Sequence, residues 1–392
     1  MDGTTSRSPG ENADSREICL DHAAGSRLAP TVAAALHDAL DTAWASPSGV
    51  HHPAAMVADR LEAARGQVAS LIGAAPDEVV FTSNATETRN LMVRGTVRGL
   101  PGSDHATVIT ALEHPTIRAL SAEMTTETCP VGPDALVDPD VLAARVDSST
   151  AVVCVHHGQH EVGTVQDVPA LARAVRSANP EARILVDAVE TTGLCPIDVA
   201  AWDVDAVALG GRALDAPPWV GALWIRPGSR LRPLVVGGAQ EFGKRPGAEN
   251  VPAIIAMGVA AATDLEARAT HRRRMAARLW DGLRDVPGAA LTGQHMDDRI
   301  PGHVHVTLDG IEGESFTVAL AGMGVLASPG STCAEDAGKA SPALEAIGLR
   351  EPRTHSGVLF TCGWSTTADD IDAAVPIIRR TADTLRRMSP FR

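Results

Sequence analysis

Ala151-Val-Val-Cys-Val155, Val168-Pro-Ala-Leu-Ala-Arg-Ala-Val-Arg-Ser177 and Arg183-Ile-Leu-Val186 follow one another along the chain, and their reading decides the fold. The first and third are short apolar runs rich in β-branched residues, which suits strands buried on both faces. The second reads as a helix. Outward from this unit the alternation continues. Glu78-Val-Val-Phe-Thr82 and Ala106-Thr-Val-Ile-Thr110 are strand candidates before it, Ala206-Val-Ala-Leu209 and Gly221-Ala-Leu-Trp-Ile225 after it. Strands alternating with helices imply an α/β fold with a mostly parallel sheet covered on both faces. In such folds ligands sit beyond the carboxyl ends of the strands.

Residues 28–75 read as helical, with Val57-Ala-Asp-Arg-Leu-Glu-Ala-Ala-Arg-Gly-Gln-Val-Ala-Ser-Leu-Ile72 placing apolar residues at three- and four-residue steps. A single long helix is expected from Val251 to Leu283, bridging to a second, smaller α/β domain. That domain would hold a strand over Gly302-His-Val-His-Val-Thr-Leu308, a helix from Glu314, a strand over Gly324-Val-Leu-Ala327 and a final helix from Ala368. The expected division is a disordered tail over 1–15, a large α/β domain over 16–255 and a small C-terminal domain over 256–392. The first ordered residues would pack on the small domain.

The chain has 392 residues, 44% of them hydrophobic and 21% charged, enough for a sizeable core. No apolar run is long enough to span a membrane, and the polar start lacks a signal-peptide pattern. A formal net charge of −14 argues against a nucleic-acid partner. Six scattered cysteines without metal-like spacing read as free thiols of a cytoplasmic protein. His156-His-Gly-Gln-His-Glu161 invites a metal reading, but adjacent residues at a strand end point to opposite sides. No metal site is expected.

Several segments resemble, in order, the motifs of cysteine desulfurases, in the class V aminotransferase group of pyridoxal phosphate (PLP) proteins of fold type I. Leu20-Asp-His-Ala-Ala24 is similar to their opening Leu-Asp-Asn-Ala-Ala, and Ser46-Pro-Ser-Gly-Val-His51 to their Asn-Pro-Ser-Ser-x-His turn. Phe81-Thr-Ser-Asn-Ala-Thr-Glu87 resembles Phe-Thr-Ser-Gly-Ala-Thr-Glu, Val186-Asp-Ala-Val-Glu190 resembles Val-Asp-Ala-x-Gln, and Gly330-Ser-Thr-Cys333 resembles Gly-Ser-Ala-Cys. The resemblance runs from about Ile18 to Met388. It implies a homodimer, because the family builds its active site at the subunit interface.

The resemblance also implies roles. Asp187 would face the pyridine nitrogen, His114 would stack on the ring, and Thr86 would bind the phosphate with backbone N–H groups. Against these stand losses. The family lysine that forms the Schiff base falls at Ala213, and its phosphate-binding serine and adjacent histidine fall at Gly210 and Arg212. Asn84 replaces the phosphate-loop glycine, His160 an asparagine and Glu190 a glutamine. The arginine that clamps the substrate carboxylate falls at Leu359, a loss worth on the order of 2–5 kcal/mol of binding. Arg212 and Arg245 are candidate replacements for the lost phosphate contacts, and Lys244 is the outside candidate for a relocated Schiff-base amine.

Ordinary cysteine desulfuration is therefore not expected. Three readings remain open, of which the first is favoured because Asn84, His160, Glu190 and Arg212 all add function-capable groups. In the first, a repurposed enzyme holds PLP or another anionic small molecule non-covalently and uses His114, His160, Glu190 or Cys333 for catalysis, with Thr86, Asn84, His114, Asp187, Arg212 and Arg245 binding the ligand. In the second, the chain is a non-catalytic scaffold or regulatory partner of a sulfur-transfer protein. In the third, Cys333 carries persulfide.

Overall fold

The computed structural model describes residues 17–102, 105–330 and 339–388; the expected tail over 1–15 and Cys333 lie outside them. The strands are β1 (Ile18–Cys19), β2 (Val79–Thr82), β3 (Ala106–Thr110), β4 (Thr125–Cys129), β5 (Thr150–His156) and β6 (Arg183–Asp187). They continue with β7 (Ala206–Gly210), β8 (Gly221–Ile225), β9 (Ala289–Leu291), β10 (His303–Leu308), β11 (Val325–Leu326) and β12 (Gly357–Thr361). The main sheet has the order β2-β8-β7-β6-β5-β3-β4. Pairing is parallel from β4 through to β7 and antiparallel on both sides of β8.

Alternation along each strand serves two cores. Val153 and Val155 of β5 face one core with Ile184 and Val186 of β6, while Val152 and Cys154 face the other with Leu185. Helix Val168–Ala178 closes the first face through Val168, Leu171, Ala172 and Val175, the spacing of one helical stripe. Its start is fixed by Asp167, which accepts a hydrogen bond from the Ala170 N–H at 3.0 Å. Helix Ala85–Asn90 and helix Pro115–Ser121 lie over the other face.

A separate core gathers β10, β12 and the helices Leu265–Leu283 and Ala368–Met388. Ile18 and Leu20 pack into this second core, and β1 pairs with β11. Helix Val251–Ala261 belongs to the first.

Three local expectations change. The run over 28–75 is two helices, Pro30–Thr42 and His52–Leu71, separated by the Ser46-Pro-Ser-Gly turn; the His51 ring accepts from the Ala54 N–H and starts the second. The single helix over 251–283 is also two, because Asp264 accepts from the Ala267 N–H and opens a new helix at Leu265. An N-cap inside an apolar repeat overrides the period. The strand over 324–327 shortens to β11, whose pairing is limited by the two residues of β1.

Candidate functional site

The carboxyl ends of the parallel strands converge on Asp187, the last residue of β6. Its Oδ1 accepts from the Val189 N–H at 3.1 Å. Its Oδ2 accepts from Nε of Arg89 at 2.6 Å, with the two side chains only 5% and 3% exposed. Arg89 arrives from helix Ala85–Asn90, whose first turn is set by Asn84 accepting from the Glu87 N–H and by Thr88 against Thr82. The second nitrogen of the guanidinium, Nη2, lies 3.6 Å from Glu190 and lacks a hydrogen-bond partner among the described residues. Glu190 in turn accepts from Arg212 at 3.1 Å.

His114 caps helix Pro115–Ser121 by accepting from the Thr116 N–H, and its ring sits 5.1 Å from that of His160, tilted by 56°. Burial, then the charge of Arg89, pushes His114 down to about 2. Burial, partly offset by Glu190, lowers His160 to about 4. Both rings are neutral near pH 7. Burial raises the Asp187 carboxyl, but the surrounding charges and hydrogen bonds, Arg89 foremost and the Val189 N–H among them, together outweigh burial and hold it below the usual carboxylate range.

Thus the fold gathers His114, His160, Asp187, Glu190 and Arg212. Asn84, Thr86 and Arg245 collect instead around the start of helix Ala85–Asn90, where Thr86 is exposed and Arg245 pairs with Glu87 at 3.1 Å. Both candidate phosphate arginines, Arg212 and Arg245, therefore already carry carboxylate partners. Lys244 holds its ammonium 5.3 Å over the Phe242 ring. His156 and His157 diverge as expected, the first to Glu113 and Gln166, the second to Thr191 and Trp202.

Ala213 follows β7 in the turn Arg212–Leu214. The backbone there has closed in. A Cβ at Gly210 would lie 2.8 Å from Cγ1 of Val189, and one at Gly211 would lie 2.6 Å from the Pro217 carbonyl oxygen. The cleft beside Ala213, lined also by Glu190, Arg212, Arg272, His303 and Thr361, encloses about 30 Å³. That is small beside the roughly 300–1,000 Å³ of small-molecule sites, and His114, His160 and Asp187 do not line it. Leu359, 2% exposed in β12, pairs across the sheet with His305.

PLP in the family manner does not fit these side chains. Asp187, the carboxylate that the resemblance would give to the ring nitrogen, is already balanced by Arg89 at 2.6 Å, and position 213 offers no amine. Sequence reasoning missed Arg89. Its signal was a guanidinium on an apolar helix stripe, four residues after Ala85 and just before Met92 and Val93. It also missed Asp215, whose carboxylate binds Arg268 and Arg272.

Comparison with known proteins gives a consistent family. The aminotransferase class-V model matches residues 18–373. The cysteine desulfurase IscS of Aeromonas hydrophila is 33% identical over 387 residues, covering 95% of each chain. The cysteine desulfurase IscS 1 of Archaeoglobus fulgidus is 32% identical over 357 residues, covering 89% of this chain and 92% of its own. The solved structure of a NifS-like protein superposes with a TM-score of 0.86 at 26% identity, covering 94% of this chain and all of its own.

Proposed function

The chain belongs to the aminotransferase class-V family, and on that premise we propose that it is a cysteine desulfurase-like protein that does not itself desulfurate cysteine but serves sulfur transfer as a non-catalytic partner. The observation that carries this reading is Ala213 in the turn Arg212–Leu214 that follows β7. Alanine offers no amine for a Schiff base. Leu359 supports it, because a buried leucine cannot clamp a substrate carboxylate.

A second reading has its own support. His114, His160 and Glu190 do gather beside Asp187, so a repurposed pocket holding PLP or another anion non-covalently has its acid–base groups in place. It requires the cleft to open.

The active form in this proposal is a cytoplasmic homodimer of two-domain subunits. Leu40, Trp44, Val50 and Met56 stand exposed around one small apolar cluster of helices Pro30–Thr42, His52–Leu71 and Val251–Ala261. Trp219, also exposed, adjoins it through its carbonyl oxygen, which accepts from Asn250. An apolar face of this kind suits a second copy of the chain.

The test is alanine formation from cysteine by the purified chain with PLP, and by an active cysteine desulfurase with and without the chain. The proposal expects no alanine from the chain alone and a changed rate or sulfur delivery for the active enzyme. PLP-dependent turnover by the chain alone would overturn it. Loss of the effect in C333S alone would assign it to persulfide carriage.

A further inference from the structure

We propose that Arg89 is the chain's own occupant of the position a cofactor ring nitrogen would take, so that this guanidinium bars PLP from the site independently of what stands at position 213. The inference deepens the non-catalytic reading and rests on it for the identity of the pocket, but it makes a separate claim about one residue.

The geometry carries it. Asp187 is the carboxylate at the sheet's carboxyl edge, and both of its oxygens are engaged, one by the Val189 N–H and the other by Arg89 Nε at 2.6 Å. A pyridinium N–H aimed at Asp187 would have to set a second cation against Arg89 or push it aside. The guanidinium has little freedom to yield. Its side chain is 3% exposed, and of the other carboxylates that act on it Glu190, at 3.6 Å, is already bonded to Arg212 and Glu113 to His156. Stranding a buried guanidinium is expensive.

Charge tells the same story. Arg89 and Arg212 stand against Asp187 and Glu190, so the strand-end aspartate already has its counter-charge. In a site made for PLP, the pyridinium would supply the positive charge that balances the strand-end aspartate. Here an arginine supplies it permanently, because a guanidinium does not deprotonate.

The experiment measures PLP binding by equilibrium dialysis, together with the PLP-induced shift in melting temperature, for the native chain, R89N and R89N/D187N. Removing Arg89 leaves Asp187 as a buried anion that a pyridinium can satisfy. R89N should bind PLP at least about tenfold more tightly than the native chain and be stabilised by it, while the native chain is indifferent. The gain should vanish in R89N/D187N, because it depends on the carboxylate rather than on vacated space. Where R89N does not fold, R89A, which has no group that reaches Asp187, takes its place. In an A213K background, borohydride should fix PLP on residue 213 only when Arg89 is also replaced.

Equal affinity of the native chain and R89N, including no binding by either, would overturn the proposal. So would a gain that persists undiminished in R89N/D187N. The outcomes separate from those of the preceding section. Cysteine turnover by the native chain defeats the non-catalytic reading whatever R89N does, and an unresponsive R89N defeats only the role of Arg89.

Discussion

Asp187→Asn tests the central ion pair by energy rather than by ligand. The amide keeps the shape of the carboxylate and removes its charge, leaving the Arg89 guanidinium, 3% exposed, without its 2.6 Å partner. Breaking one side of a buried pair costs about 3–5 kcal/mol. Glu190, 3.6 Å from Nη2, remains near enough to take up part of the charge, so the lower end of that range is expected. Chemical denaturation of the native chain, D187N, R89M and R89M/D187N forms the cycle. The double variant should recover most of the loss, because with both charges removed neither is left buried and unpaired. The pH dependence is a second check. Arg89 holds the folded Asp187 carboxyl below the ordinary value, so the folded state binds fewer protons here than the unfolded chain. The contribution is present above the unfolded value of about 4 and is lost as pH falls through the folded one. The gap between native and D187N should therefore narrow in acid. A loss under about 1 kcal/mol in D187N, or a double variant no more stable than D187N, would refute the view that this pair replaces a bound charge.

Other outcomes follow from the same structure. Burial lowers His114 to about 2, His157 and His305 to about 3, and His160 and His303 to about 4. The unfolded chain takes these protons near pH 6.5 and the folded chain refuses them. Stability should thus fall as pH drops below 6.5, each histidine adding about 1.4 kcal/mol per pH unit down to its folded value. Glu161 runs the other way. Burial pushes it up to about 7 against the hydrogen bond from Ser341, so its contribution is present below the unfolded value and is lost as pH rises through 7. E161Q should remove that loss, and identical native and E161Q denaturation curves from pH 5 to 8 would contradict the assignment. D215N strips the carboxylate shared by Arg268 and Arg272 and should lower stability by about 3 kcal/mol or more in urea titration. G193A meets both a φ of +72° and a Cβ placed 2.2 Å from Cδ2 of Leu214, so a loss of about 1–3 kcal/mol in thermal melting is expected. W44E, on the exposed apolar face, should shift sedimentation toward monomer; an unchanged species would place the subunit contact elsewhere.

The sheet was legible because its signals are local. The strand–helix–strand unit over 151–186 is written in contiguous apolar runs, and its parallel pairing follows from the helix between them. Helix ends were less legible where a single cap at Asp264 or His51 cut an otherwise continuous period. The site divided along the same line. His114, His160, Asp187 and Glu190 could be nominated from short motifs, and the fold brings them together. Arg89 could not, because its partner lies 98 positions away and only the packing of a helix over the sheet joins them. That asymmetry bears on how the site is understood. An absent lysine is visible in the sequence and suggests a pocket missing one part. A buried guanidinium on the strand-end aspartate instead describes a site whose charge is already satisfied. Restoring the lysine alone would then supply an amine without a place for the ring it should hold, so the site's chemistry turns on residue 89 at least as much as on residue 213.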